Sequence, residues 1–114
     1  MPIDVKVTEH VIRIMVISPR GRLDAFEAPT LRKDCDDFIS QGVSHFVFDL
    51  RETSMLDSSG LAVLVNVLKR ARLAGGNVRL IWPVEEAASR ILKLTKFDQV
   101  FSSIEPDQII PRGF

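Results

Sequence analysis

The sequence predicts an α/β fold: a mixed, mainly parallel β-sheet with an opening β-hairpin and with helices packed on the sheet. The order of the predicted elements supports this prediction. Short β-branched or apolar runs alternate with longer segments whose apolar residues recur every three or four positions, as in strand–helix–strand units. Such units favour right-handed crossovers, so the strands after the first helix should run parallel. The 114 residues suit a single domain.

The first part of the chain is predicted to form the opening hairpin. Residues 5–7 provide one short strand, and residues 11–17 form a β-branched run that the turn-forming residues 18–21 stop. Two strands in direct succession pair most easily as antiparallel neighbours. The hairpin would therefore supply the antiparallel part of the sheet.

Three amphipathic helices are predicted, because apolar residues recur on one helical face and helix-stopping residues follow them. Pro29 suits the first turn of the first helix and Gly42 its exit, while Gly75 and Gly76 end the second. Because this glycine pair precedes a strand, it is unsuited to hold phosphate as a glycine-rich loop before a helix does. The three predicted helices cover residues 26–41, 59–74 and 84–95.

The remaining elements lie between and after these helices. Residues 45–50 are short and almost wholly apolar, as a strand covered on both faces should be, so we place them at the centre of the sheet. Residues 78–82 form the next strand, and residues 99–101 form a last short one. Residues 51–60 are expected to be a polar loop, and residues 107–110 one more helical turn.

Charge and cysteine content exclude several functional classes. Fifteen Lys plus Arg balance fifteen Asp plus Glu, so no net charge draws the chain toward nucleic acid or an anionic membrane. The single cysteine, Cys35, cannot form an intramolecular disulfide, and no Cys/His spacing suits zinc. The sequence shows neither a signal-peptide pattern nor a run of about 18 apolar residues. We therefore expect a cytoplasmic protein that binds no metal, nucleotide cofactor, nucleic acid or membrane.

The segment formed by Asp57, Ser58, Ser59 and Gly60 is the strongest candidate for a functional site. It follows the most buried strand and opens the most apolar helix, at the sheet edge where α/β proteins usually carry their sites. One interpretation is a hydroxyl presented for modification or contact. The other is an ordinary helix N-cap, because Asp and Ser side chains both accept hydrogen bonds from free N–H groups. Spacing alone leaves both interpretations open.

Asp24 stands at the first strand-to-helix junction and also has two interpretations. It is either a second acidic group on the same rim as Asp57 or a carboxylate that caps the first helix. Three further residues are interpreted as structural. Asp49 is expected to be a hydrogen-bonding carboxylate, Cys35 a packed thiol and Trp82 a packed indole.

Nucleophilic catalysis by Ser58 is not expected. It needs a base within hydrogen-bond reach, and the chain has two histidines, His10 in the predicted hairpin and His45 at the start of the central strand. Both should lie at the opposite end of the sheet from Ser58, and no G-x-S-x-G pattern surrounds either serine. We therefore expect a protein that is not an enzyme.

Several segments together resemble the STAS domains of anti-sigma factor antagonists. They are Gly-Arg-Leu-Asp at residues 21–24, Phe-Val-Phe-Asp-Leu at 46–50, Met-Leu-Asp-Ser-Ser-Gly-Leu-Ala at 55–62, and the glycine pair at 75–76. Residues 91–98 resemble the ending of the family's third helix. The similarity spans nearly the whole chain, so residues 1–114 are interpreted as one STAS domain. Asp-Ser-Ser-Gly-Leu in this setting is the specific signal.

The resemblance implies a protein that acts by partner switching. Unphosphorylated members bind an anti-sigma factor that is also an ATP-dependent serine kinase, and so release its target. Phosphorylation of the first serine of the motif ends this binding, and a PP2C-type phosphatase reverses the modification. By position that serine is Ser58, and the implied partner-binding residues are Asp24, Asp57, Ser58, Ser59 and Gly60. If the Ser59 hydroxyl caps the helix, the Ser58 hydroxyl is left free for the kinase.

Other functions remain open at this point. Arg22 and Lys96 depart from the family pattern, because an acidic residue is common at the first position and Gly often ends the helix at the second. The kinase's target is a sigma factor or another system such as a secretion apparatus. An alternative is a STAS subunit of a lipid-transport ABC system, and a third hypothesis is a small hydrolase that uses Ser58.

Overall fold

The computed structural model describes residues 3–9 and 11–109. Within them lie six strands, four α-helices and one 3-10 turn at Pro106–Gln108. The strands are β1 (Ile14–Ile17), β2 (Gly21–Leu23), β3 (His45–Asp49), β4 (Thr53–Leu56), β5 (Asn77–Ile81) and β6 (Ser102–Ser103). The helices are α1 (Ala28–Ser40), α2 (Ser58–Leu73), α3 (Glu86–Leu94) and α4 (Phe97–Val100). None of the helices described is long and apolar enough to cross a membrane.

The strands form two sheets, and every strand pair is parallel. The larger sheet has the order β1–β3–β5–β6, and the smaller one pairs β2 with β4. β3 lies inside the larger sheet between β1 and β5, so the prediction of a central strand at residues 45–50 is confirmed. Neighbouring strands occupy both edges of β3, and apolar clusters cover both of its faces, so nearly all of its side chains are buried.

The core lies mainly between the larger sheet and the helices. Phe46 and Phe48 of β3 face the helices together with Leu80 of β5, and all three are fully buried. Val47 lies on the opposite face of the sheet in a smaller cluster with Ile81 and Ile104. Adjacent side chains of β3 point to opposite faces of the sheet and therefore belong to two separate cores.

Cys35 lies on the inner face of α1 and is fully buried, as its interpretation as a packed thiol predicts. Burial raises the pKa of its thiol to about 12, and the neighbouring carboxylates of Asp34 and Asp36 add to the shift. An inert, protonated thiol is expected at this position.

The three helices predicted from apolar spacing are confirmed, with ends within about two residues of those observed. Gly42 and Gly75 follow α1 and α2 with positive φ angles of 89° and 82°. Gly76 lies so close to the segment before β3 that a Cβ atom would be 1.7 Å from the Ser44 carbonyl oxygen. The glycine pair is therefore a helix exit, as predicted.

The predicted opening hairpin is wrong for the residues described. Residues 3–9 and 11–13 form no strand, and residues 14–17 pair parallel with β3 instead of antiparallel with the preceding segment. The physical reason lies in the connection, because the residues between the two β-branched runs include no Gly or Asn suited to a tight hairpin turn. Val5 and Val7 are consequently exposed to solvent.

The end of the chain also differs from its prediction. Residues 99–101 are not a strand, because α4 covers most of them, and the last strand is β6, which follows. Lys96 adopts a left-handed conformation, with φ 61°, and starts a new helical turn in which the Phe97 and Phe101 rings stack with centroids 5.4 Å apart. The helical turn predicted at residues 107–110 is observed at Pro106–Gln108. Residue 110 lies outside the described residues.

Candidate functional site

Two loops meet at the carboxyl end of the smaller sheet. The loop after β2 contains Asp24 and leads into α1, and the loop after β4 contains Asp57 and leads into α2. Because β2 and β4 are parallel neighbours with Leu23 opposite Leu56, their carboxyl ends share one edge. Asp24 and Asp57 therefore lie on one rim, in agreement with one of the two interpretations of Asp24. Neither β2 nor β4 was predicted, and the expectation of a polar loop over residues 51–60 is wrong where β4 forms.

The Asp57 carboxylate joins these two loops. Its Oδ1 atom accepts hydrogen bonds from the N–H groups of Ser59 and Gly60, at 2.9 and 3.1 Å. Its Oδ2 atom accepts a hydrogen bond from the N–H of Ala25 in the other loop, at 3.0 Å. One side chain therefore caps α2 and fixes the start of α2 against the loop that precedes α1.

These hydrogen bonds stabilise the ionised carboxylate. They lower the pKa of Asp57, with the largest contribution from the N–H of Gly60 and further contributions from Ala25 and Ser59, while partial desolvation acts in the opposite direction. Asp57 is therefore ionised at neutral pH and carries its negative charge next to Ser58.

The structure separates the roles of the two serines. Asp57 is the N-cap of α2, so the hypothesis that the Ser59 hydroxyl caps the helix is wrong. A carboxylate that accepts from two N–H groups satisfies the helix end on its own, and Ser59 contributes only its backbone N–H. Ser58 is the first residue of the helix and is exposed, whereas Ser59 is half-buried. Ser58 thus presents the more accessible hydroxyl, as expected, but for a different reason.

Gly60 lies where α2 passes closest to β2. A Cβ atom at this position would lie 2.4 Å from the Leu23 carbonyl oxygen and 2.9 Å from the Leu23 Cγ atom. Any side chain would push the start of α2 away from the smaller sheet. Gly60 therefore supports the rim sterically, which is a role that its place in the motif did not reveal.

Asp24 caps its own loop. Its Oδ1 atom accepts hydrogen bonds from the N–H groups of Phe26 and Glu27, at 3.1 and 3.2 Å. Its Oδ2 atom lies 3.9 Å from Nε of Arg22, in an exposed ion pair. The N-cap of α1 is Glu27, without a side-chain cap, so the interpretation of Asp24 as the cap of the first helix is wrong. The Asp24 carboxylate instead orders the turn before α1, and it lies on the rim beside Asp57.

The other candidates have structural contacts, as predicted. Asp49 accepts two hydrogen bonds from the Arg51 guanidinium, at 2.9 and 2.7 Å, and this contact lowers the pKa of Asp49. The indole N–H of Trp82 donates to the Ser89 hydroxyl at 2.8 Å.

The structure also locates one of the two histidines. His45 begins β3, at the amino end of the parallel sheet, whereas Ser58 follows the carboxyl end of β4. His10 lies outside the described residues. Within residues 3–9 and 11–109, no group of three His, Cys, Asp or Glu side chains is placed to hold a metal ion.

Two residues near the rim were not identified from the sequence. Phe26 lies in the loop before α1, one residue after the N–H that Asp57 binds, and its side chain is 87% exposed. Arg32 lies on α1 beside the start of α2, in a hollow that Ser59 also lines. Neither residue belongs to a recognisable motif, and their proximity to the rim depends on how α1 packs against α2.

The family follows from comparison with known proteins. A model of the STAS domain matches residues 2–108. The chain belongs to the STAS domain family.

Relatives of this STAS domain agree with the assignment. It is 30% identical over 92 residues to the anti-sigma-B factor antagonist of Bacillus subtilis, an alignment that covers 81% of this chain and 77% of the relative. A crystal structure of a Thermotoga maritima protein assigned as an anti-sigma factor antagonist has 28% identity and a TM-score of 0.74, with 81% and 79% coverage. The Bacillus cell fate determinant SpoIIAA in its phosphorylated form shares the fold, with 18% identity, a TM-score of 0.69 and 94% and 96% coverage.

Proposed function

We propose that this STAS domain is an anti-sigma factor antagonist that acts by partner switching. In its unphosphorylated form it binds an anti-sigma factor that is also a serine kinase, and it thereby releases the kinase's target. Phosphorylation of Ser58 ends this binding, and a PP2C-type phosphatase restores it. The proposal treats residues 1–114 as one regulatory domain without catalytic activity of its own.

One observation carries the proposal more than any other. Ser58 is exposed at the first position of α2, directly after a carboxylate whose oxygens are fixed by three backbone N–H groups. A kinase needs an accessible hydroxyl on a backbone of defined shape, and the rim supplies both. The names of the relatives add support, since they favour a regulatory protein over a transport subunit.

The rim also suggests how phosphate would act. A phosphoryl group on Ser58 adds roughly −1.5 to −2 charges at pH 7. The N–H groups of Ser59 and Gly60, which could have bound it, already donate to Asp57. The phosphate would therefore stay exposed beside a second negative charge, instead of being neutralised by the helix end. A partner surface that fits a neutral hydroxyl and one carboxylate would then face a bulky dianion, which is unfavourable in a desolvated contact.

The proposed partner surface includes the remaining rim residues. Ser59 and Gly60 follow Ser58 in the first turn of α2. Asp24 lies on the same rim as Asp57, because β2 and β4 are neighbours. We propose that the protein acts in the cytoplasm, because its kinase partner uses ATP and ATP is available in that compartment. It needs no metal or cofactor of its own for binding.

Phosphorylation by the partner tests this function directly. The purified protein is incubated with Mg-ATP and the serine kinase encoded nearest to its gene, and the modified residue is mapped by mass spectrometry. We expect one phosphate on Ser58, and none in Ser58→Ala. Ser59→Ala is the control for the site of modification and should still carry its phosphate on Ser58. Phosphate on another residue, or none, would contradict the proposal.

A further inference from the structure

A groove runs along the edge where α1 and α2 pack together. It consists of two adjoining hollows, of about 320 and 410 Å³, and both are lined by Arg32 and Ala62. The first hollow begins at Ser59, next to the candidate phosphorylation site, and the second extends along α2 to Lys69. We call this continuous surface, from Ser59 past Arg32 and Ala62 to Lys69, the α1–α2 groove.

The groove has an apolar floor and positive walls. Small or aliphatic side chains form the floor, among them Ala28, Ala62 and Val65. Arg32 and Lys69 are the charged residues in its walls, and no Asp or Glu from the described residues lines either hollow. A chain with no net charge therefore carries a locally cationic trough beside Ser58.

These two cations are not used within the fold. On the same helices, Arg70 pairs with Asp36 across the α1–α2 contact, and Arg72 donates to the Val100 carbonyl oxygen at 3.4 Å. The side chains of Arg32 and Lys69 are exposed and make no hydrogen bond or ion pair in the part of the chain that the structure describes. Their charges are thus available to a partner.

We propose that the α1–α2 groove is a docking surface for an acidic amphipathic segment of the anti-sigma factor kinase. This inference rests on the proposed function and extends it from Ser58 to a neighbouring surface. The apolar floor would receive the apolar side chains of the segment, and Arg32 and Lys69 would pair with its carboxylates. Because Ser59 lines the groove, a kinase segment bound there would lie next to the Ser58 hydroxyl that the kinase is proposed to modify.

Complementary charge at the periphery of a protein–protein interface mainly increases the association rate, and salt weakens this effect. We therefore expect Arg32→Glu to weaken kinase binding about tenfold, and the double variant Arg32→Glu/Lys69→Glu about a hundredfold. The loss should fall mainly on the association rate and shrink as the salt concentration rises. Both side chains are exposed, so thermal unfolding should stay close to that of the wild type.

The test uses the serine kinase encoded nearest to the gene. Its association and dissociation rates are measured with each variant, at low and high salt. The matched control is Lys33→Glu/Lys93→Glu, which makes the same change in net charge at exposed helix positions outside the groove. The inference requires at least a tenfold difference in affinity between the two double variants. Ser58→Asp is measured in parallel, because it reports on the proposed function independently of the groove.

The outcomes separate the two proposals. Equal loss in the groove variant and the control, with binding still abolished by Ser58→Asp, would overturn the groove and leave the proposed function intact. Failure of the wild-type protein to bind the kinase would overturn both.

Discussion

The Asp57 carboxylate joins the loop before α2 to the loop before α1, because its Oδ2 atom accepts a hydrogen bond from the N–H of Ala25 at 3.0 Å. The other oxygen of the same carboxylate caps α2. Asp57→Asn keeps one oxygen as an acceptor but replaces the other with an NH2 group, which cannot accept from Ala25. We expect faster amide exchange at Ala25, while the amides of Ser59 and Gly60 remain protected.

Hydrogen exchange followed by NMR measures this difference, and Asp57→Ala serves as the comparison because it removes both acceptors. In Asp57→Ala all three amides should lose protection. Unchanged exchange at Ala25 in Asp57→Asn would show that the bond across the loops contributes nothing to their order.

The pH dependence of stability should reflect the same carboxylate. Hydrogen bonds from Gly60, Ala25 and Ser59 lower the pKa of Asp57 in the folded protein. An Asp in the unfolded chain has a pKa near 3.9, so the stabilisation is present above that value and is lost as pH falls through the lower folded pKa. The difference in unfolding free energy between wild type and Asp57→Asn should therefore shrink below about pH 4. Urea titrations at pH 7 and at pH 3 measure it, and a constant difference would refute this prediction.

Gly60→Ala should destabilise the protein by about 1 to 3 kcal/mol, because the added methyl group overlaps the Leu23 carbonyl oxygen. The sign is informative, since Ala is otherwise favoured over Gly inside a helix by about 1 kcal/mol. Chemical denaturation measures the change, and Ser59→Ala at the adjacent position is the control, expected to have little effect. A Gly60→Ala variant as stable as the wild type would mean that the start of α2 is not fixed against β2.

Lys96→Gly should stabilise the protein by about 1 kcal/mol, because Lys96 is the one described residue other than glycine with a positive φ. Glycine adopts that conformation without a Cβ clash. The control is Lys69→Gly inside α2, which should lose about 1 kcal/mol for the opposite reason. Unfolding midpoints in urea decide between the signs, and a loss of stability in Lys96→Gly would contradict this explanation.

The sequence predicted the parts of the fold that periodicity controls. The apolar spacing in α1, α2 and α3 reflects the contacts of each helix with the main core, and the continuous apolar run in β3 reflects the cores on both of its faces. The strands β2 and β4 are too short and too polar for such a pattern. Residues such as Gly21 and Thr53 form strands because the two segments lie side by side, which no local signal contains.

The site shows the same division. The motif identified Asp57 and Ser58, and the polar residues around them were consistent with a helix cap. The cap itself is a local contact of Asp57 with the N–H groups of Ser59 and Gly60, which the spacing allowed. The hydrogen bond from Ala25 to Asp57 and the role of Gly60, whose would-be Cβ lies 2.4 Å from the Leu23 carbonyl oxygen, depend on other segments. These are contacts between segments far apart in the chain, and spacing along the sequence cannot predict them.

Charge at Ser58 is the central claim, and the affinity of the kinase for two variants at that position tests it most directly. Binding is measured by calorimetry for Ser58→Ala, Ser58→Asp and the wild type, with Ser102→Asp as a control at an exposed serine outside the rim and the α1–α2 groove. We expect Ser58→Ala to bind like the wild type and Ser58→Asp to lose most of its affinity while it unfolds at the same temperature. Equal affinity of Ser58→Ala and Ser58→Asp for the kinase would contradict the claim.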